Sequence, residues 1–210
     1  EGRLDLSSEE TIRTWINQLL SIFEWDVMDT SQILQEKVLS KEEKAKLGEI
    51  DSTSNRPDYT FKIGNQKLTF LDAKAASVNI STSNSSAFQI KSYGWSILAP
   101  CTFLTNFEEF AIYDCTYIPH QGQQANLGRT YFTIDEYVEN FEVLEAHLLR
   151  SNILSGTLDK LYSDTLRNVS SIQKLSPDLV FAEQLSSFRL SLAKNIVENN
   201  NELIKNNTEL

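Results

Sequence analysis

The residues best suited to chemistry lie in two short segments, Pro57-Asp58 and Asp72-Ala73-Lys74. Two carboxylates brought together hold a divalent cation, and Mg²⁺ prefers a few carboxylates while it keeps several waters. The backbone carbonyl of Ala73 is a further candidate ligand. The bound cation would lower the pKa of a water, and Lys74 would orient that water or help to deprotonate it. The spacing therefore predicts metal-assisted cleavage of a phosphodiester bond.

A β-hairpin is predicted to bring the two carboxylates together. Residues 59–63 and 68–70 alternate apolar and polar side chains, with Gly64-Asn65 between them, a pattern typical of two paired strands. Asp58 precedes the first strand and Asp72 ends the second. Folding of the hairpin would therefore place both carboxylates at the same end.

The register of this hairpin decides whether the carboxylates meet. A tight two-residue turn would place Asp58 opposite the residue before Asp72, whereas a three-residue loop or one β-bulge would place it opposite Asp72. We therefore expect the looser turn. Alternation along the strand then places Asp72 and Lys74 on one face, with Leu68 and Phe70 behind them.

These short motifs also have a simpler interpretation. Pro-Asp begins many turns, Asp-x-Lys occurs by chance, and exposed pairs of this kind are usually solvated. More of the chain is needed to choose between the two interpretations.

The segments that follow resemble a known nuclease family. Residues 87–96, with Gln89 and Tyr93, and then residues 104–114 resemble the N-terminal nuclease domain of type IIG restriction–modification enzymes. They are also similar to the same domain of type I restriction subunits. Both are PD-(D/E)xK nucleases of the RecB-like branch, in which relatives more often have Glu at the position of Asp72.

The resemblance implies roles for Gln89 and Tyr93. They match a Gln-x-x-x-Tyr element on the helix after the catalytic strand, where they would support the catalytic lysine or a nearby phosphate. Four residues apart, they share one helix face. A capping amide and a packed tyrosine are the structural alternatives.

The first predicted helix begins with a capping box formed by Ser7 and Glu10 and carries an apolar stripe. Residues 10–13 and 23–26 resemble the opening helix of the family, which ends near a Gly-Trp-Asp, and here Glu24 stands in place of the glycine. In related nucleases a glutamate on this helix can reach the metal. Glu10 is the position that fits, and its role in the capping box is the alternative.

The element order predicts an α/β, restriction-endonuclease-like core, a mixed β-sheet flanked by helices. The later elements are a helix at 88–98, strands at 101–105, 110–114 and 129–133, and a helix from Thr133, capped with Glu136, to about Arg150. Residues 1–150 are interpreted as the nuclease domain. Residues 151–210 are interpreted as a helical connector, and their stretch 188–196 resembles the segment that leads to a methyltransferase domain in the family. An ordinary amphipathic helix that closes this domain is the alternative for that stretch.

Composition limits the class of protein. With 210 residues, 40% of them hydrophobic, the chain can bury a substantial core. Neither a membrane-spanning apolar run nor a signal-peptide pattern occurs in the sequence. We therefore expect a soluble protein. The resemblance implies the cytoplasm of a bacterium or archaeon, where Cys101 and Cys115 would be buried thiols.

The net charge of −10 argues against tight binding of DNA by this chain alone, because duplex affinity comes largely from Lys and Arg that neutralise phosphates. Two explanations are open. The basic residues could concentrate near the cleft, or DNA binding could belong to other domains. The candidates for the cleft are Arg56, Lys62, Lys67, Lys74 and Lys91.

The resemblance implies partners and cofactors. Double-stranded DNA would be the substrate, with Mg²⁺, or Mn²⁺ in its place, as the cofactor. Methyltransferase and target-recognition domains would lie on the same polypeptide, and a transient dimer of nuclease domains would make double-strand breaks. The sequence has no phosphate-binding loop and no methyltransferase motif, so neither an ATP nor an S-adenosylmethionine site is predicted.

Two other classes of protein stay open. The chain could be a catalytically silent PD-(D/E)xK module for DNA binding or assembly, or an unrelated α/β interaction domain with a fortuitous motif.

Overall fold

The computed structural model describes residues 9–162, together with Phe188 and Leu192, which are helical and exposed. By its internal contacts the chain divides into Glu1–Arg167 and Asn168–Leu210. Ser7 of the predicted capping box and most of the predicted connector lie outside the described residues. Within the described ranges, no helix is both long and apolar enough to cross a membrane.

Six strands form one mixed sheet in the order β1-β2-β3-β4-β5-β6. β3 and β4 are parallel, and the other neighbours are antiparallel. The strands are β1 (Ile33–Gln35), β2 (Tyr59–Ile63), β3 (Gln66–Ala73), β4 (Cys101–Thr105), β5 (Glu109–Asp114) and β6 (Arg129–Thr133).

The helices of the described part are α1 (Glu9–Ile22), α2 (Lys41–Glu49), α3 (Asn84–Ile97), a 3₁₀ turn (Ile134–Glu136), α4 (Phe141–Leu148), α5 (Arg150–Leu154) and α6 (Thr157–Leu161). A mixed sheet flanked by helices confirms the predicted α/β class and is compatible with a restriction-endonuclease-like core.

Alternate residues of the strands supply two hydrophobic clusters. Phe61 and Phe103 pack in one cluster with the apolar stripe of α1 and with residues of α4 to α6. Phe70 and Leu104 pack in the other with α2 and α3. Because side chains of a strand alternate between its faces, the two clusters cover opposite faces of the sheet. Ile153 and Leu158 belong to the first cluster, so packing continues beyond residue 150, and the predicted boundary there stays a prediction.

The hairpin combines the tight turn with a bulge. Ile63 pairs with Gln66 across Gly64-Asn65, but the register shifts by one residue between Phe61 and Lys62. Tyr59 therefore pairs with Leu71, and the same register carried one step further sets Asp58 opposite Asp72.

This register is the one that we expected, although the bulge provides it rather than a longer turn. The bulge also places Leu68 against the first cluster, whereas Phe70 lies in the second. The expectation that these two side chains share a face is therefore wrong, since the extra residue reverses the alternation.

Two predicted helix boundaries are wrong. α3 begins at Asn84 rather than 88, because Ser83 accepts a hydrogen bond from the backbone N–H of Ser86 and caps the helix earlier. The capping box of Thr133 and Glu136 forms as predicted, but it opens only a 3₁₀ turn.

The predicted helix from Thr133 to Arg150 is interrupted twice. A new helix starts at Phe141, and Leu149 is extended. The extended residue lies where the chain is held by tertiary hydrogen bonds: the indole N–H of Trp25 donates to the carbonyl of Leu148 at 2.7 Å. The backbone N–H of Arg150 donates to the carbonyl of Phe23 at 3.1 Å.

Glu24 adopts a left-handed φ of 66° where the resembling family has glycine. The backbone N–H of Trp25 donates to the carbonyl of Leu20 at 3.0 Å, and that of Glu24 donates to the carbonyl of Ser21 at 3.1 Å. This is the pattern of a Schellman cap. The substitution therefore keeps the helix end that a glycine would form.

The two cysteines, Cys101 and Cys115, are buried, free thiols, as predicted. Burial raises the pKa of the Cys115 thiol to about 12, which keeps it protonated.

Gly94 allows α3 to lie against the sheet. A Cβ there would stand 2.5 Å from Sγ of Cys115 and 2.7 Å from Cγ2 of Thr102. We expect Gly94→Ala to lower the free energy of unfolding by about 1–3 kcal/mol, the usual cost of overpacking. Gly48→Ala is the control, because its Cβ meets no described atom within 4 Å. It should raise stability by about 0.5–1 kcal/mol. Urea unfolding of both variants tests the pair, and equal effects would contradict the close approach.

Candidate active site

Asp58 and Asp72 meet at the end of the hairpin opposite its turn. Asp58 immediately precedes β2, and Asp72 is the penultimate residue of β3. Both are buried, with 8% and 2% of their surface exposed. The backbone N–H of Ala73 donates to Oδ2 of Asp58 at 2.7 Å, which fixes that carboxylate against the neighbouring strand.

The electrostatics of this pair favour a cation. The pKa of Asp58 is raised to about 7, first by burial and then by the charge of Asp72, while the N–H of Ala73 and the charge of Arg13 oppose the rise. A buried carboxylate beside another carboxylate keeps its proton because two like charges cannot both ionise cheaply. Neutralisation by a bound cation would remove this cost.

Lys74 joins the pair to α3. Its Nζ donates to Oδ2 of Asp72 at 2.5 Å and to Oε1 of Gln89 at 3.0 Å. Burial lowers the pKa of Lys74. Asp72, through its charge and its hydrogen bond, and the charges of Asp58 and Glu9 raise it by more, so the pKa of Lys74 is raised overall. The side chain is therefore an ammonium group, which donates hydrogen bonds and does not accept a proton.

Gln89 and Tyr93 extend the network along one face of α3. Nε2 of Gln89 donates to the hydroxyl of Tyr93 at 3.3 Å. The backbone N–H of Arg56 donates to the same hydroxyl at 3.3 Å. The helix after β3 thus holds Lys74 through Gln89, and Tyr93 ties that helix to the segment that leads into Asp58.

Arg13, which the sequence analysis did not single out, is the cation closest to Asp58 in this arrangement. Its guanidinium forms ion pairs with Asp58 and Glu36, and it pairs with Glu9 at 2.9 Å. Glu36 follows β1, and its backbone N–H donates to the carbonyl of Asp58 at 2.8 Å. Three acidic groups therefore surround one arginine beside the predicted metal site.

The glutamate of α1 that lies near the site is Glu9 rather than Glu10. Glu9 contacts Arg13 and its charge raises the pKa of Lys74, and both Glu9 and Glu10 are exposed. The role of Glu10 as a metal ligand stays a prediction. The prediction that the backbone carbonyl of Ala73 binds the metal stays untested, because the hydrogen bond of Ala73 to Asp58 involves its backbone N–H.

The signal for Arg13 and Glu9 was present in the sequence as a Glu-x-x-x-Arg spacing, which pairs charges on one helix face. The partner Glu36 could not be found this way, because it reaches the site only through the pairing of β1 with β2.

Two neighbouring carboxylates suit Mg²⁺, which is commonly bound by one or two carboxylates together with substrate phosphates. No group of three or more His, Cys, Asp or Glu side chains able to hold a metal occurs among the described residues. Asp58 and Asp72 therefore fit a site that the substrate and water would complete, and they do not fit an all-protein cage.

Of the basic residues predicted near the cleft, Lys74 contacts the carboxylate pair, and others make different contacts. Lys62 and Lys67 lie opposite each other near the hairpin turn, far along the strands from Asp58. Lys67 pairs with Glu43 at 2.6 Å, and Lys91 donates to Gln123 at 2.8 Å. Lys62 and Lys67 therefore do not support the first explanation of the acidic composition, which stays open for the other candidates.

Comparison with known proteins gives one informative likeness. The chain is 31% identical over 201 residues, 93% of its length, to the type II restriction enzyme and methyltransferase RM.Eco57I of Escherichia coli. It spans 20% of the length of that relative. No protein-family model matches the chain, and no solved structure matches it.

Proposed function

We propose that this chain is the Mg²⁺-dependent DNA endonuclease domain of a type IIG-like restriction–modification enzyme, in which other domains recognise the target. The observation that carries the proposal is the contact of Lys74 with both Asp72 and Gln89, beside a buried Asp58. A PD-(D/E)xK nuclease needs these groups in one place. The likeness to a type II restriction enzyme and methyltransferase supports the type II context over a type I subunit.

The residues divide the work of hydrolysis. Asp58 and Asp72 would hold Mg²⁺, which supplies charge neutralisation at the phosphate and a bound water of lowered pKa. Lys74, kept as an ammonium by its acidic neighbours, donates hydrogen bonds to the water or to a phosphate oxygen. Gln89 fixes the direction of the ammonium group by accepting one of its hydrogens. These fixed groups meet the developing charge without reorganising, which is the main source of catalysis in such sites.

The wider assembly follows from the same proposal. The substrate is double-stranded DNA, and methyltransferase and target-recognition domains belong to the same polypeptide. One active site cuts one strand, so a transient pair of nuclease domains makes a double-strand break. The net charge of −10 accords with DNA binding that depends on the other domains.

Cleavage of supercoiled plasmid tests the proposed activity. The 210-residue chain at high concentration, and the full-length polypeptide, should nick or linearise the plasmid with Mg²⁺ or Mn²⁺, and should not do so with a chelator. A folded full-length protein that leaves the plasmid intact with either metal would contradict the proposal.

Tyr93→Phe should lower the nicking rate about tenfold, because it removes the hydroxyl that accepts hydrogen bonds from Gln89 and from the backbone N–H of Arg56. The stability cost should be about 1 kcal/mol, the usual worth of such bonds. Tyr117→Phe is the control, since Tyr117 is 46% exposed. Single-turnover nicking and thermal melting give the two readouts. A rate equal to that of the control would assign Tyr93 a packing role only.

A catalytically silent module is the second candidate, and Arg13 is the observation that favours it. The guanidinium already neutralises one oxygen of Asp58, as a metal would. Titration of Mg²⁺ into wild type and Arg13→Ala, followed by calorimetry, separates the two functions. Binding to the variant alone would favour the silent module, and binding to both would favour the nuclease.

A further inference from the structure

Arg13 holds one oxygen of Asp58 and takes no part in the hydrolysis described above. Oδ2 of Asp58 accepts the backbone N–H of Ala73 at 2.7 Å, whereas Oδ1 accepts a hydrogen bond from Nη2 of Arg13. The backbone N–H is fixed within the sheet, but the arginine side chain can turn away from its helix. Oδ1 is therefore the oxygen at which a metal ion and the guanidinium compete.

Two cations do not share this carboxylate cheaply. Arg13 keeps its positive charge at any physiological pH. Like charges a few ångströms apart repel strongly where burial lowers the effective dielectric constant. Asp58 is buried, and Arg13 is partly buried. Binding of a divalent cation at Asp58 therefore requires the guanidinium to give up its contact.

Arg13 has other partners on the solvent side of Asp58. Its Nη1 pairs with Glu36, and its Nη2 also pairs with Glu9 at 2.9 Å. Both glutamates are exposed, so they can follow a small movement of the arginine. Loss of the contact with Asp58 thus leaves the guanidinium beside the site.

The contacts of Arg13 are not fully satisfied. Its Nε–H is buried and has no acceptor in the part of the chain that the structure describes, which is costly. Its partner Glu36 has a left-handed φ of 48°, and the backbone N–H of Glu36 donates to the carbonyl of Asp58 at 2.8 Å. Strain of this kind collects at functional sites. Both features indicate an arrangement held for function rather than for stability.

A phosphate of the substrate is the partner that suits Arg13 after it leaves Asp58. Mg²⁺ commonly joins carboxylates to substrate phosphates and holds its ligands close together. A phosphate that shares a cation with Asp58 is therefore a near neighbour of that carboxylate, which Arg13 already reaches. The planar fork of arginine matches two oxygens of a phosphate.

We propose that Arg13 exchanges partners: it holds Asp58 in the metal-free protein and passes to the backbone phosphate of DNA that the metal site binds. The inference rests on the proposed function and adds a substrate-binding residue to its site. The exchange couples the two ligands, because the guanidinium is available to DNA only after it has left Asp58. Arg13 therefore opposes the binding of the cation and favours the binding of the substrate.

Arg13→Met tests the exchange, because it removes the charge and keeps an unbranched apolar side chain. Arg13→Lys keeps the charge but loses the planar fork. Lys67→Met is the matched control. It also breaks an ion pair with a glutamate, Glu43 at 2.6 Å, and it lies near the turn of the hairpin, away from Asp58. Circular dichroism verifies that each variant is folded.

Calorimetric titration of Mg²⁺ into the 210-residue chain without DNA measures the first half of the exchange. Arg13→Met should bind Mg²⁺ about tenfold more tightly than the wild type, since a repelling charge beside the cation is gone. Arg13→Lys and Lys67→Met should differ from the wild type by less than about threefold. The titration is made at about pH 9, because the pKa of Asp58 is raised to about 7, mainly by burial, and a bound proton would compete with the metal.

Fluorescence anisotropy with a short DNA duplex measures the second half. With Ca²⁺ in place of Mg²⁺ to prevent cleavage, Arg13→Met should weaken binding about tenfold, the worth of one charge-assisted contact to a phosphate. With a chelator instead of the metal, it should change binding less than about twofold, since Asp58 then holds Arg13. Lys67→Met should have the same small effect in both conditions.

Tighter binding of the metal together with metal-dependent loss of DNA binding supports the exchange. Weaker or unchanged Mg²⁺ binding by Arg13→Met would make Arg13 a support of Asp58 and overturn the proposal. Equal effects on DNA binding with and without the metal would overturn it as well. Mg²⁺ binding by Arg13→Met but not by the wild type would also overturn it, because the guanidinium would then not leave Asp58.

Plasmid nicking by the wild type separates these failures from that of the proposed function. A chain that nicks, while Arg13→Met shows neither effect, would reject the exchange alone. A chain that shows both effects and never nicks would keep the exchange and reject the nuclease.

Discussion

Lys74→Ala and Asp58→Ala should each lower the rate of plasmid nicking by about a thousandfold or more, which corresponds to roughly 4 kcal/mol of lost transition-state stabilisation. Asp58→Ala removes one of the two carboxylates that would hold the cation. Lys74→Ala leaves both carboxylates but removes the ammonium group that contacts Asp72 and Gln89. Single-turnover nicking of supercoiled plasmid with Mg²⁺ measures both effects.

The control for Lys74→Ala is Lys62→Ala. Lys62 lies on the same hairpin, but near its turn, where its backbone is paired with that of Lys67 on the neighbouring strand. Its loss should therefore change the rate less than about twofold. Circular dichroism and thermal melting verify that each variant is folded. A rate in Lys74→Ala equal to that of Lys62→Ala would show that the nicking comes from a contaminant or from another site.

The effects of the two site variants should not add. Both act on one metal-and-water arrangement, and residues that act as a unit lose most of the rate when any one is removed. We therefore expect the double variant Asp58→Ala/Lys74→Ala to be about as slow as the slower single variant. Fully multiplicative losses would place the two residues in independent roles.

The hairpin shows how far the sequence could predict this site. The alternation of residues 59–63 and the Gly64-Asn65 turn predicted the strands, and the need to bring Asp58 opposite Asp72 predicted a shift of register. The choice between a longer turn and a bulge could not be made, because both change the register by one residue. The structure uses the bulge, and Leu68 changes face as a result.

Arg13 and the interrupted helix show what local patterns leave out. Arg13 reaches Asp58 from α1 across 45 positions of sequence, and its partner Glu36 depends on a short strand without a strong pattern. The capping box at Thr133 was recognised correctly, but tertiary hydrogen bonds at Leu148 and Arg150 decide where the helices lie. Both outcomes depend on long-range contacts, which outweigh local propensity.

Asp58→Asn should stabilise the protein above pH 7 in metal-free buffer, although it removes a charge that Arg13 contacts. The folded state raises the pKa of Asp58 from its ordinary value of 3.8 to about 7, mainly by burial and then by the charge of Asp72. The unfolded chain releases this proton near pH 4, whereas the folded chain keeps it until about pH 7. Between these values the folded state binds more protons, so stability falls as the pH rises.

Asparagine avoids this loss because it carries no charge at any pH, and its side-chain carbonyl can accept the backbone N–H of Ala73. The difference in stability between Asp58→Asn and wild type should therefore be small below about pH 4 and grow between about pH 4 and 7. Above that it should stay constant, on the order of 2–4 kcal/mol. Urea unfolding at a series of pH values measures it. Asp51→Asn, at an exposed aspartate, should show no such rise.

Addition of Mg²⁺ should offset the stability advantage of Asp58→Asn over the wild type. A cation held by Asp58 and Asp72 binds the folded wild type and removes the repulsion between the carboxylates, so its melting temperature should rise with Mg²⁺ concentration. At one hundred times the dissociation constant the gain is about 2.7 kcal/mol, comparable to the advantage of Asp58→Asn in metal-free buffer. The variant, with one carboxylate left, should gain little. If Asp58→Asn is stabilised with pH as expected but Mg²⁺ does not stabilise the wild type, then the pair carries its unfavourable charge without binding a cation. If neither effect appears, the buried pair does not carry the unfavourable charge on which both expectations depend.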